Sequence, residues 1–252
     1  MSETLSCRGV SMSFNGLSAL AGVNLVFPSS GIVSIIGPNG AGKTTLIDIL
    51  TGFIRPDSGS CFIGQREITH LPPDQIAALG ITRTFQHLRC ITQTSALENV
   101  LLARPRQRGE SLLGALFRLG VAEEEKQNRE IAKRLLESVG LGHATTESDR
   151  AGELSYGQQK LLSLACCLAT EAQMLLLDEP IAGVSPKRRE QILKLLLTLG
   201  NQGMLIIFVE HDISAVKEVA DQVIMMDEGK VIAHGVPSEV LARPEIMEAY
   251  IA

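Results

Sequence analysis

Apolar positions along this chain keep two different periods, and the changeovers between them outline its organisation. Residues 10–14 ("VSMSF"), 22–27 ("GVNLVF") and 31–37 ("GIVSIIG") are short, rich in β-branched side chains and separated by Gly, Asn, Pro and Ser. Such runs predict strands. "IVSIIG" is almost continuously apolar, as a central strand buried on both faces should be. A helix is expected from residue 43 to about 52, and "GSCFIGQREI" (59–68) predicts a hairpin returning to an outer sheet.

From about residue 95 to 140 the period changes. "SALENVLLA", "SLLGALFRL" and "EEEKQNREIAKRLLESV" carry helical spacing with charged faces, and strand signals vanish. A helical insertion is therefore expected. Alternation then resumes. Strand "QMLLLD" is followed by a helix over 186–199, strand "MLIIFVE", a helix from 213, strand "QVIMMD", a turn at "EGK" and strand "VIAHG". This β/α order predicts a mostly parallel sheet covered by helices.

Composition narrows the function classes. The 252 residues are 45% apolar, enough for one large domain or a domain with a subdomain. The formal net charge is −5, and the short basic clusters at 104–108 and 187–189 are too small for a nucleic-acid footprint. Trp is absent and Tyr occurs twice, which argues against single-strand stacking platforms. Cys7, Cys61, Cys90, Cys166 and Cys167 form no CxxC pair or Cys/His cluster, so reduced, mostly buried thiols are expected and no metal site built on them. The first residues show neither a charged leader nor an apolar stretch, so no signal peptide is visible. No apolar run approaches the roughly 20 residues of a spanning helix.

Two segments carry recognisable chemistry. "GPNGAGKTT" (37–45) fits G-x-x-x-x-G-K-[ST] directly after the expected central strand. Gly37, Gly40 and Gly42, with Pro38, Asn39 and Ala41 between them, permit a loop whose N–H groups converge on phosphate oxygens. The helix N-terminus behind it adds roughly half a positive charge. Lys43 would reach the β- and γ-phosphates, Thr44 would place its hydroxyl on Mg²⁺, and Thr45 would contact the α-phosphate. "MLLLDEP" (174–180) supplies the complement. Its apolar run delivers Asp178 and Glu179 at a strand's C-terminal end, where open α/β sheets bind ligands. Asp178 would hold Mg²⁺ through water, and Glu179 would polarise a water in line with the γ-phosphate. "GELSYGQQKLLSL" (152–164) looks like a second phosphate-facing helix start, with Ser155, Gly157 and Gln158 at its mouth.

In this order the phosphate loop, "TFQ", "LSYGQQ", "LLLDEP", "AGVSP" and "VEHD" resemble an ATP-binding-cassette ATPase over essentially the whole chain. "LSYGQQ" is the discriminating element, since phosphate loops are shared by kinases, GTPases and motors. The resemblance implies a P-loop NTPase core with a mostly parallel sheet, an N-terminal antiparallel β subdomain and an inserted helical subdomain. As one domain over 1–252, it would comprise the β subdomain and first part of the core (1–92), the helical subdomain with the signature (93–160), and the remaining core with C-terminal helices (161–252). ATP and Mg²⁺ are the implied cofactors. Phe14 would stack on adenine, Gln86 would contact Mg²⁺ or the attacking water, and His211 would bond the γ-phosphate and steady Glu179. Two cassettes, identical or not, would face each other head to tail. Ser155, Gly157 and Gln158 of one would then close over the nucleotide of the other.

"RTFQHLR", "SLLGALFR", "LSYGQQ" and the ending "RPEIMEAYIA" are similar to the ATP-binding subunits of branched-chain amino acid importers; urea and other amide importers share that style. This implies two permease subunits, an indirect periplasmic binding protein, permease docking near residues 87–100, and a peripheral position on the cytoplasmic face of a bacterial inner membrane. No nucleic-acid partner is implied. Ser185 stands where that branch often has Asn, and Cys166 where Arg is common. An exporter ATPase of the lipopolysaccharide type is the near alternative, although "RTFQHLR" favours the importer. A soluble cassette acting on DNA or ribosomes is a more distant one.

Overall fold

In a computed structural model of the chain, residues 4–85, 90–105, 121–142, 150–244 and 246 are described. They group into two compact units. The first comprises Met1–Arg83, Gln173–Ala182 and Leu196–Ala252, and the second Thr84–Ala172 and Gly183–Leu195.

The first unit contains two sheets. In the smaller, β1 (Leu5–Phe14) pairs antiparallel with β2 (Leu17–Val26) and with β4 (Ser58–Ile63). The short β5 (Arg66–Glu67) then turns back on β4, forming the hairpin expected from "GSCFIGQREI". β1 is longer than its alternation suggests. Register shifts between Cys7 and Val10, and again up to Ser13, interrupt the period of two that marks a strand in sequence. Asn15 and Gly16 both take positive φ in the turn joining β1 to β2, the backbone that a tight hairpin requires.

The larger sheet is built from β3 (Gly31–Ile36), β6 (Ile81–Arg83), β7 (Met174–Asp178), β8 (Leu205–Val209), β9 (Gln222–Asp227) and β10 (Lys230–Gly235). Their spatial order is β10-β9-β3-β8-β7-β6. All pairs are parallel except β10 with β9, which join through the expected "EGK" turn. β3 lies between β8 and β9 and is buried from Ile32 to Ile36, as its unbroken apolar run requires. The α/β reading with a mostly parallel core sheet and an antiparallel β part therefore holds.

Helix α1 (Lys43–Leu50) follows β3, and buries Leu46, Ile47, Ile49 and Leu50 in one apolar cluster with residues of both sheets. Two elements had no clear sequence signal: α2 (Pro73–Ala78) and β6. α2 is a six-residue turn of helix opened by Pro at its first position, and β6 is three residues long. Both are too short for either period to register.

The second unit is helical among the described residues. α3 (Ala96–Leu102) opens with a full capping box between Ser95 and Glu98, and α4 (Val121–Ser138) and α5 (Tyr156–Ala169) pack with it. The predicted "SLLGALFRL" helix lies outside the described residues. Helix α6 (Pro186–Asn201) begins in this unit and finishes in the first, which also holds α7 (Ile213–Val219) and α8 (Pro237–Val240). Among the described residues no helix is long and apolar enough to cross a membrane. The five cysteines are free thiols, three of them buried.

Ile207 sits at the middle of this architecture, fully buried on β8 and in register with Val33 on one side and Leu176 on the other. Ile207→Ala should lower unfolding free energy by about 2–5 kcal/mol, because the neighbouring strands cannot collapse into the void. A urea titration followed by circular dichroism measures it. An unchanged midpoint would contradict this position at the core.

Candidate functional site

Parallel pairing brings the chemistry of the first unit to one sheet edge. β3, β8, β7 and β6 are neighbours running the same way, and Ile35, Val209 and Asp178 lie in one row across them. The residues that follow each strand therefore emerge side by side. After β3 comes the glycine loop, after β7 Glu179, and after β8 Glu210 and His211.

The loop's glycines have structural causes. A Cβ on Gly37 would lie 2.0 Å from the carbonyl oxygen of Met226, and one on Gly42 would lie 2.3 Å from that of Ala19. No side chain fits either place. Gly42 also takes φ +93 as the residue that starts α1. Asn39 and Gly40 are exposed at the tip, Pro38 is half-buried and Ala41 is buried against the core. Lys43 is buried, and its ammonium donates to the carbonyl oxygens of Gly37 and Pro38, each at 2.7 Å. The loop thus wraps its own lysine. Burial pushes the Lys43 ammonium below its ordinary pKa, opposed by the charges of Glu179 and Asp178. Thr44 is exposed and Thr45 half-buried on the first turn of α1.

Asp178 ends β7 and is buried. Burial raises its pKa, and the Arg83 guanidinium, 4.0 Å from its Oδ2, is the main opposing influence. Glu179 and Asp48 push it further up, whereas a hydrogen bond from Thr44 lowers it. Thr44 and Asp178 therefore meet, an alcohol oxygen beside a carboxylate. That pair suits a hard cation such as Mg²⁺, which takes one or two protein oxygens and completes its shell with phosphates and water. The next residue, Glu179, donates its N–H to Val209 O at 3.0 Å and takes φ +49. This left-handed backbone is uncommon for a residue with a side chain. His211 Nε2 lies 3.2 Å from Glu179 Oε1, so the two residues expected to act together are in contact. Phe14 stands at the tip of the β1–β2 hairpin with 43% of its surface exposed.

The second unit holds the other expected phosphate-facing group. Ser155 caps α5, accepting from the Gln158 N–H and donating to Gln158 Oε1 at 2.8 Å in a capping box. The cap explains Ser155 and Gln158 as helix-starting residues. It does not explain Gly157. A Cβ there would meet Val184 and Arg188 only at 3.7 Å or beyond, ordinary contact distances, and the position is helical. Nothing within the unit requires the missing side chain. Ser185 is exposed, with its carbonyl accepting the Arg189 N–H at the start of α6, and Cys166 is half-buried in α5 with its thiol pushed well up by burial.

Gln86, expected beside the metal and the water, lies outside the described residues, as do His87 and most of the "RPEIMEAYIA" ending. Two residues escaped the sequence reading. Arg83, at the end of β6, pairs with Asp48, bonds Thr51 Oγ1 at 3.2 Å and stacks over Phe53. Glu210 is buried directly after β8 and accepts the N–H groups of Ile181 and His211. Both share a signal that was available: a lone charge at the C-terminal end of an apolar strand aimed at the ligand edge.

The family profile described as ABC transporter matches residues 20–182. The chain is 37% identical over 249 residues to the high-affinity branched-chain amino acid transport ATP-binding protein BraF of Pseudomonas aeruginosa, covering 98% of this chain and 97% of that one. It is equally identical over 252 residues to LivG of Escherichia coli, with the same coverage. Among solved structures, a nucleotide-free ATP-binding cassette superposes with a TM-score of 0.84 at 34% identity over 99% of both chains. A cassette in its ADP conformation gives 0.83 at 34% over the full length of both. A dimeric cassette in a post-hydrolysis state bound to ADP and phosphate gives 0.78 at 25%, covering 92% of this chain and 98% of that one. The chain belongs to the ABC transporter family and has the fold of its ATP-binding cassettes.

Proposed function

We propose that this chain is the ATP-hydrolysing subunit of an importer for branched-chain amino acids or similar small amides, acting as one of two cassettes beneath a membrane permease. The hydrolytic part rests on one observation above the others: Glu179 and His211 touch at the strand edge that also carries the glycine loop. The choice of solute is supported by the whole-length similarity to BraF and LivG, which also weighs against the exporter and soluble-cassette alternatives.

Each residue's role follows from its chemistry. Phe14 offers an exposed aromatic face to adenine. Residues 37–42 present backbone N–H groups to the phosphates, and Thr45 adds a hydroxyl near the α-phosphate. Lys43 exchanges its two carbonyl partners for β- and γ-phosphate oxygens. Thr44, Asp178 and Gln86 would hold Mg²⁺, which when bound supplies positive charge to the phosphates. Glu179 accepts a proton from the attacking water, while His211 holds the Glu179 carboxylate and reaches for the γ-phosphate. Ser155, Gly157 and Gln158 serve the nucleotide of a second cassette. The absent side chain at Gly157 supports this, since its own unit has room for one. The partners are a second cassette of either kind, two permease subunits and, through them, a periplasmic solute-binding protein, with this chain peripheral on the cytoplasmic face.

Solubilised complexes should contain polytopic permeases, and reconstituted vesicles should take up labelled leucine only with ATP and an amino-acid-binding protein present. Lipid-transport partners with no amino acid uptake would overturn the importer reading.

Glu179→Gln keeps the shape but not the base. ATP should still bind and hold cassettes together, while steady-state turnover falls by at least about 100-fold, within the usual range for lost general-base assistance. Phosphate release by the purified complex measures it, and near-normal turnover would remove Glu179 from this role.

Lys43→Ala should weaken nucleotide binding by the same chain, whereas Gly157→Asp should spare binding but block closure by setting a carboxylate against the partner's γ-phosphate. Mixing the two inactive variants should restore hydrolysis at no more than one site per mixed dimer. If only a heterodimer forms, one substitution goes into each partner. Mixed dimers that form without recovering any activity would refute the shared site.

A further inference from the structure

The chain gives up an apolar strand end for Glu210, whose carboxylate is buried with only 3% of the residue exposed. Burying a carboxylate is costly unless donors meet it. Here two backbone N–H groups from different segments meet it. Oε1 accepts the Ile181 N–H at 2.9 Å, and Oε2 accepts the His211 N–H at 3.3 Å. One segment leaves β7 and the other leaves β8, and each carries one of the two hydrolytic candidates.

Three ties therefore span these segments. The Glu179 N–H donates to Val209 O at 3.0 Å, the Glu179 and His211 side chains meet at 3.2 Å, and Glu210 clamps Ile181 from the far side of the turn. Between the first tie and the last, the backbone at Glu179 passes through φ +49. Such a conformation persists only where the surroundings over-determine it. Glu210 supplies a constraint two residues after the strained one, at Ile181, and on its other oxygen it accepts from the residue that contacts the Glu179 carboxylate.

The geometry points to Glu210 as a positioning residue for hydrolysis. It holds the backbone turn that aims Glu179 and ties that turn to His211. This inference rests on the proposed roles of Glu179 and His211 and deepens them. Glu210 also ties Ile181, which directly precedes the "AGVSP" segment in sequence, to His211. A shift of Ile181 is felt by Glu210, and through Glu210 by the His211 backbone.

Two variants separate this role from a merely structural one. Glu210→Gln keeps one acceptor for the Ile181 N–H but turns an amide donor toward the His211 N–H, so one tie survives. Glu210→Ala removes both. The purified transport complex should show kcat reduced about 10-fold in Glu210→Gln and about 100-fold in Glu210→Ala, the scale expected when reacting groups are displaced by about an ångström. KM for ATP and equilibrium binding of a fluorescent ATP analogue should stay within threefold, because the N–H groups that Glu210 accepts belong to Ile181 and His211 rather than to the glycine loop. Glu179→Gln is measured alongside. If it retains turnover, the assignment of the base fails, and the positioning role fails with it. If it abolishes turnover while Glu210→Gln and Glu210→Ala keep kcat within twofold of the parent, the base stands and the positioning role is overturned. Should Glu210→Ala fail to fold, Glu210→Gln alone decides. A full parental kcat in that variant, or a loss of nucleotide binding that matches its loss of kcat, refutes the proposal.

Discussion

The register of β3, β8 and β7 is the constraint on which the rest of the molecule depends. Backbone pairing places Ile35, Val209 and Asp178 in one row, so three loops leave the sheet together. A slip of one residue in any pair would turn its strand over and send its terminal side chain to the opposite face. Register is secured by burial. All five residues of β7 and of β8 are buried, and any other alignment would bring polar groups into the core.

Charge is then concentrated at that edge under partial desolvation. Lys43, Asp178 and Arg83 are all largely removed from water, and each is held by a partner of opposite sign or by backbone carbonyls. Burial acts against both ions, lowering Lys43 and raising Asp178, while their mutual attraction and Arg83 act the other way. A site in this balance is prepared for a polyanion. On the proposed reading phosphate oxygens would replace the loop carbonyls at Lys43, and preorganised charges of this kind cost little reorganisation when a reaction begins.

Glycines illustrate how similar residues serve different ends. Gly37 and Gly42 are dictated from within, because neighbouring carbonyl oxygens occupy the space a Cβ would need. Gly157 meets no such demand in its own unit, where a Cβ would make only ordinary contacts, and its proposed reason is the nucleotide of a second cassette. The capping box at Ser155 shows why a helix-start reading of "LSYGQQ" and a ligand reading are compatible. One oxygen capacity stabilises the helix, and the helix start presents what remains.

Much of this was legible in the residues. Apolar runs marked β3, β7, β8 and β9, because a strand buried on both faces cannot hide its composition. The glycine loop, Asp178 and Glu179 were legible because their spacing is imposed by local geometry next to those strands, whereas His211 came from the family resemblance. What the sequence could not supply was set by contacts distant along the chain. β6 and α2 are too short to show a period, and β1 lost its own to register shifts. Arg83 meets Asp48 and Asp178, and Glu210 meets Ile181, across separations that no local pattern encodes. Sequence by itself determined which groups stand at each strand's end. Only tertiary structure decided which of those groups touch, because parallel strands are joined by long crossovers and become neighbours solely through the order in which the sheet assembles.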